Sequence, residues 1–207
     1  LTMHRVINYG SVWQAYALKL VLEAMGHEVT FADFRNGTPR HKGKKLSRIG
    51  AAERLANLST NGVKNFYDKI RAKIFRRRYC QSLQEKSYEL LGISKRYDYN
   101  LNADVVLIGS DEVFNYTQND SFGYVPCLFG HGINAKRIIS YAASAGYTNS
   151  DDVEHDGIRQ ELASGLRKMT AISVRDENTQ RLVDYCLNRL PQIVVDPTLL
   201  IEIVQFM

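Results

Sequence analysis

Cysteine is scarce in this chain, with 3 in 207 residues. Cys80, Cys127 and Cys186 lie far apart, are odd in number and make no CxxC pair. That argues against a disulfide framework and a structural zinc site, and it fits a reducing cytoplasm. The histidines (His4, His27, His41, His131 and His155) form neither HxxxH nor HExxH, so no metal site is visible. No run approaches the roughly 18–20 apolar residues that span a bilayer. The apolar stretch from Ala15 to Met25 follows no basic start and is broken by Lys19 and Glu23, which is not a signal-peptide pattern. Several fingerprints are missing as well. Without GxGxxG after a strand, NAD or FAD binding is disfavoured. Without GxxxxGK[ST] the chain is not a P-loop NTPase, and without GxSxG it is not an α/β-hydrolase. No RNP, KH or zinc-finger signature marks a specific nucleic-acid binder.

What is present suits a globular domain with a real core. Hydrophobic residues make up 44% and charged residues 24% of the chain, and the net charge is +5. The positive charge is clustered. One cluster holds Arg35, Arg40, Lys42, Lys44, Lys45 and Arg48; the other holds Lys64, Lys69, Arg71, Lys73, Arg76, Arg77 and Arg78. Such clusters concentrate anionic partners without naming the anion.

The chain opens on Leu1-Thr2-Met3-His4, which reads as the tail of a strand. A helix is expected over Val12–Met25, with Ser11 and Gln14 as an S-x-x-Q capping box. Glu28–Phe34 reads as a second strand, closing a βαβ unit. A basic loop over Arg35–Gly50 leads into two or three helices. In the clearest, Phe66, Tyr67, Ile70, Ile74 and Phe75 form an apolar stripe, with Lys69, Lys73, Arg76 and Arg77 facing elsewhere. That basic face is either a solvated helix surface or a contact for a phosphorylated or lipid-linked substrate or an anionic membrane. Gln84–Leu91 reads as a further short helix.

The most strand-like run is Ala103–Ile108, short, β-branched and apolar, as a strand buried on both faces must be. Gly109 is expected to turn the backbone, and Ser110, Asp111 and Asn115 follow. Strands are also expected over Arg137–Ala143, Ala171–Val174 and Gln192–Val195, with helices over Asp151–Lys168 and from about Glu177 to Leu187. Strands alternating with helices imply an α/β fold with a mostly parallel sheet flanked by helices. In such a sheet, ligands bind at the carboxyl ends of the strands. Those ends carry His4 with Asn8, then Asp111, Ser144, Arg175 with Asp176, and Asp196. Together they describe a crevice with carboxylates, a hydroxyl and a fixed cation beside the helix start at Asn8–Ser11, which suits phosphate or carboxylate. Singly, each has a plain alternative. Asp111 fits a polar turn that caps the next segment, and Arg175 fits an ion pair with Asp176, Glu177 or another acid.

Five segments carry a resemblance. Asn8-Tyr9-Gly10-Ser11-Val12-Trp13-Gln14-Ala15-Tyr16-Ala17-Leu18 resembles the N-Y-G-(A/S)-x-x-Q-A-Y-A-L opening of the polysaccharide pyruvyl transferase family. Ile108-Gly109-Ser110-Asp111-Glu112-Val113-Phe114-Asn115 resembles its G-S-D-Q-x-W-N motif. Ser140–Ser144, Ile172–Asp176 and Val195–Leu200 resemble three further family segments in the family's order. Two positions depart: Glu112 stands where Gln is usual, and Phe114 where Trp is usual. Glu112 adds a negative charge beside Asp111, which would repel an anionic donor or raise a carboxylate pKa. Phe114 keeps an aromatic surface but loses an indole donor.

The resemblance implies a Rossmann-like N-terminal domain of a glycosyltransferase-B-like fold over residues 1–200, with a basic helical insertion at about 36–100. Residues 201–207 would begin a linker to a second domain, and this half alone is expected to be inactive. The family transfers the enolpyruvyl unit of phosphoenolpyruvate to two sugar hydroxyls of a cell-surface polysaccharide or its precursor, giving a cyclic pyruvate ketal and phosphate. Phosphoenolpyruvate is then a donor substrate, and no cofactor is implied. Asp111 would be the base or hydrogen-bond acceptor for the sugar hydroxyl. Arg175, Gly10 and Ser11 would hold the donor anion, and Asn8, Ser110 and Ser144 would orient substrate. The implied partner is a sugar or lipid-linked glycan, with peripheral contact to an anionic membrane and a cytoplasmic, membrane-peripheral location. Two other readings fit the residues: a nucleotide-sugar glycosyltransferase on the same fold, and a non-catalytic module binding anionic glycans, lipids or nucleic acid.

Overall fold

A computed structural model describes residues 1–42, 62–118 and 122–201. The basic residues Lys44, Lys45 and Arg48, any helix before residue 62 and the expected linker after 201 lie outside them, as do the side chains of Phe66, Tyr67, Lys69, Ile70, Arg76 and Arg77.

Four parallel strands form one open sheet in the order β1-β2-β3-β4: β1 (Asn102–Gly109), β2 (Asn134–Ala143), β3 (Ala171–Val174) and β4 (Gln192–Ile193). The helices are α1 (Tyr9–Ala24), α2 (Gly62–Leu91), α3 (Ser150–Asp156), α4 (Arg159–Leu166) and α5 (Glu177–Leu187). The expected α/β architecture with helix-flanked parallel strands is therefore what forms.

Alternation along the strands sets the core. Val106, Ile108, Ile138, Ile172 and Val174 share one sheet face and are buried. They meet Leu162 and Leu166 of α4 and Leu182, Val183 and Cys186 of α5. In α5 the buried positions Thr179, Leu182, Val183 and Cys186 recur at helical spacing. Full burial of each Leu or Val contributes roughly 1.5–3 kcal/mol. The opening halves of β1 and β2 are not buried on both faces as expected. Val105 is 45% exposed, and only the carboxyl-terminal halves of these strands lie in the core.

Other expectations shift. Among the described residues, Glu28–Phe34 pairs in no ladder. The Leu1 carbonyl accepts from Gly109 N at 3.0 Å and the Leu1 amino group donates to Leu107 O at 2.8 Å, so the neighbour of β1 on that edge is the opening residue. Asp33 instead turns inward, 4% exposed, and is held by Arg5 and by the Asp98 N–H. Gln84–Leu91 is not a separate helix. No Gly or Pro interrupts residues 63–91, and α2 runs unbroken for 30 residues. The expected Asp151–Lys168 helix is two helices, because Gly157 takes a left-handed φ of 68° and ends α3. Among the described residues no helix is long and apolar enough to cross a membrane.

Candidate active site

The strand registers bring the carboxyl ends together. Gly109 pairs with Tyr141, Ala143 with Val174, and Val174 with Ile193. The residues that follow each strand therefore emerge on one edge of the sheet.

The turn after β1 is made by Ser110, not by Gly109. Ser110 has a φ of 40°, uncommon for a residue with a side chain, and it is fully buried. Gly109 serves close approach instead: a Cβ there would stand 2.9 Å from the Leu107 side chain and 3.0 Å from Tyr141 O. The Ser110 hydroxyl donates to the side-chain carbonyl of Gln14 in α1. Gln14 Nε2 in turn donates to Thr2 Oγ1 at 2.9 Å and Ser11 O at 2.8 Å. Gln14 is thus not half of a capping box. Asn8 is the N-cap, accepting from Gly10 N at 2.9 Å.

The next strand end carries a second distortion. The ladder between β2 and β3 is irregular from Ser140 to Ala143, and Ala142 has a φ of 49°. Ser173 patches the break: its hydroxyl donates to Ser140 O at 3.0 Å and accepts from Ala142 N at 3.4 Å. Bulges of this kind re-aim side chains at sheet ends. Non-glycine residues held at positive φ cost about 1–3 kcal/mol each and cluster at functional sites; here two stand on neighbouring strands.

Asp111, Ser144 and Arg175 meet across these turns. Ser144 N donates to Asp111 O at 2.9 Å, and Phe114 N to Ser144 O at 2.9 Å. Arg175 Nη1 donates to Ser110 O, the carbonyl of the peptide leading into Asp111, and to Asp196 Oδ2, both at 3.2 Å. The ion-pair alternative for Arg175 is therefore realised with Asp196 rather than its sequence neighbours. The pair is partly exposed (34% and 21%), a setting in which such pairs contribute about 0–1 kcal/mol. Among the described residues, Arg175 Nε and Nη2 have no hydrogen-bond partner. Asp111 Oδ1 accepts from Glu112 N at 2.8 Å, the local turn contact expected of it. Among the described residues, Asp111 Oδ2 is buried and has no partner. A buried acceptor left unpaired costs about 1–3 kcal/mol, so it calls for an explanation.

The remaining strand-end groups are fixed by their neighbours. Ser144 Oγ donates to Asp176 Oδ2 at 2.7 Å and accepts from Gly146 N at 3.1 Å. Asp176 caps α5 through Thr179 N and Thr179 Oγ1, both at 2.8 Å. The Glu112 carboxylate accepts from Asn115 Nδ2 at 2.8 Å and Gln118 Nε2 at 2.7 Å, so two amides hold the charge that the sequence set beside Asp111. Phe114 offers no aromatic surface to a substrate. It is 1% exposed and stacks on Phe129 at 5.3 Å.

Of the residues singled out in the sequence, Ser110, Asp111, Ser144 and Arg175 lie together on the sheet edge. Asn8, Gly10 and Ser11 lie in and before the first turn of α1, joined to that edge through Gln14. His4 is 2% exposed, with Nδ1 on Thr2 O and Nε2 at 3.1 Å from Asp33. It packs inside the fold. The residue that sequence reasoning passed over as a site member is Gln14; Asp176 and Asp196 are strand-end residues of the expected crevice to which the sequence gives no individual role. Gln14 was legible, since it is the Q of the opening motif, but its spacing from Ser11 imitated a cap. Among the described residues no cluster of His, Cys, Asp or Glu could hold a metal.

The family model for polysaccharide pyruvyl transferase matches residues 8–205. The chain belongs to that family. Its match covers the Asn8–Leu18 segment, the Ser110–Asp111 turn and the last strand end, which are the segments drawn together here. No curated protein and no solved structure matches the chain.

Proposed function

We propose that this pyruvyl transferase family member takes phosphoenolpyruvate as donor and a diol of a cell-surface polysaccharide, or of its lipid-linked precursor, as acceptor. The single observation that carries the proposal is the Oδ2 of Asp111, unpartnered among the described residues, at the turn whose Ser110 carbonyl is bonded by Arg175. A carboxylate with one free oxygen can accept the proton of an attacking hydroxyl. A guanidinium with two free donor nitrogens can hold the donor's carboxylate or phosphate. In the balanced reaction two acceptor hydroxyls bond to C2 of the enolpyruvyl unit and C3 takes up a proton. The C2–O bond to phosphorus breaks, and inorganic phosphate leaves with the second proton. Asp111 receives the first hydroxyl proton, Arg175 binds the donor anion beside the first turn of α1, and Ser110 and Ser144 hold the two turns in place.

The test is steady-state phosphate release by the full-length protein from phosphoenolpyruvate and a glycan acceptor. Asp111→Asn is expected to lower kcat by about 10²-fold or more, the usual share of a general base, with little change in donor KM. Arg175→Ala is expected to raise donor KM strongly. Wild-type kinetics in both variants, or turnover with a nucleotide sugar in place of phosphoenolpyruvate, would overturn the assignment.

A further inference from the structure

The middle of α2 leaves a stripe of side chains uncovered by the described chain. Phe75 is 72% exposed, Ile74 49% and Tyr79 47%. Arg71 and Arg78 are exposed beside them. Positions 71, 74, 75, 78 and 79 follow i, i+3, i+4, i+7 and i+8 spacing, which places them on one helix face. The apolar stripe read in the sequence is therefore exposed at Ile74 and Phe75. Phe75 and Tyr79 stack at 6.4 Å with 13° between their planes, making one aromatic surface.

The described charges on that face, Arg71 and Arg78, are both positive, and the sequence around them is basic. From Gly62 to Gln84 the sequence carries Lys64, Lys69, Arg71, Lys73, Arg76, Arg77 and Arg78 against the lone acid Asp68. A soluble polyanion would use the cations but has no need of exposed Ile74 and Phe75. An anionic lipid surface uses both, taking the apolar residues at the headgroup boundary and the cations among the headgroups. The same stripe touches the candidate site. Tyr79 OH bonds Tyr9 OH at 2.8 Å, and Tyr9 is the first residue of α1, inside the opening family motif.

We infer that the Arg71–Tyr79 face of α2 docks on an anionic lipid bilayer, lying on it and not crossing it. Docking there sets the start of α1 close to the membrane plane. The inference stands on the helix face alone and does not depend on the donor chemistry.

The experiment is co-sedimentation of the full chain with vesicles of phosphatidylcholine, alone or mixed with phosphatidylglycerol. Wild type is expected to sediment with the mixed vesicles and to stay in solution with the neutral ones. Arg71→Gln/Arg78→Gln is expected to weaken binding by about thirtyfold, and Ile74→Ser/Phe75→Ser by about tenfold. All four positions are exposed, so circular dichroism should match wild type. Failure of wild type to bind the mixed vesicles would overturn the inference, as would undiminished binding by the Ile74→Ser/Phe75→Ser variant. The latter result would mark the face as a site for soluble polyanions.

Discussion

Gln14 and Ser110, 96 residues apart, are joined by a buried hydrogen bond from the Ser110 hydroxyl to the Gln14 side-chain carbonyl. The bond ties the first turns of α1 to the left-handed turn at the end of β1. Because Gln14 Nε2 also reaches Thr2 and Ser11, one amide holds three segments at the sheet edge.

Replacing Gln14 by Leu should leave Ser110 Oγ, Thr2 Oγ1 and Ser11 O short of a partner. A destabilisation of about 2–3 kcal/mol is expected, from buried groups losing their bonds. Chemical denaturation measures it. A double-mutant cycle with Ser110→Ala should show coupling of about 1 kcal/mol, whereas additive losses would separate the two residues.

Asp176 does two jobs, capping α5 and accepting from Ser144. Asp176→Ala is expected to cost about 2–3 kcal/mol, more than the ~1 kcal/mol typical of an N-cap alone. Ser144→Ala, which breaks only one of these bonds, should cost about 1 kcal/mol. Equal losses in the two variants would contradict this division, and thermal melts compare them directly.

Gly146 has a φ of 55°, and a Cβ there would stand 2.7 Å from Glu112 Oε2 and 2.7 Å from Asn115 Nδ2. Gly146→Ala should therefore both strain the backbone and push the Glu112–Asn115 pair apart, at about 2 kcal/mol or more. Wild-type stability in this variant would mean that the turn after β2 relaxes freely.

Acid should unfold the chain through two buried carboxylates. Burial alone would raise Asp33, but the Arg5 guanidinium and the Asp98 N–H outweigh it and hold Asp33 below its ordinary value of 3.8. Asp156 is likewise held below 3.8 against burial by Lys42 N, His41 and Tyr116. A depressed carboxyl stabilises the fold fully above its unfolded value, and the gain is lost as pH falls through the folded one. The contribution of this pair should be constant from neutral pH to roughly pH 5 and should fall away below about pH 4. Asp33→Asn should flatten that acid slope in denaturation midpoints taken across the range, whereas an unchanged slope would remove Asp33 from the account.

The sheet was legible because each strand contains an apolar run ending in a polar turn: β3 and β4 fall within the expected runs, β1 exceeds its run by one residue at each end, and β2 begins three residues earlier than expected. The Glu28–Phe34 error has a physical source. Alternation alone does not say whether a neighbouring edge is open, and Leu1 holds that place beside β1. In α2, periodicity put Ile74 and Phe75 on one apolar stripe, but periodicity cannot reveal what the described chain leaves uncovered. The site was legible as strand-end residues, since parallel register forces those onto one edge. The roles of Gln14, Asp176 and Asp196 were not, because each depends on a partner at least twenty residues away that only tertiary packing supplies.

The most direct test of the central claim, that the Asp111–Arg175 edge is the donor-anion site, is calorimetric titration with phosphoenolpyruvate, using a nucleotide sugar as control. Saturable phosphoenolpyruvate binding is predicted, lost in Arg175→Ala while the melting temperature shows a folded variant. Binding that survives Arg175→Ala, or binding of the nucleotide sugar alone, would contradict it.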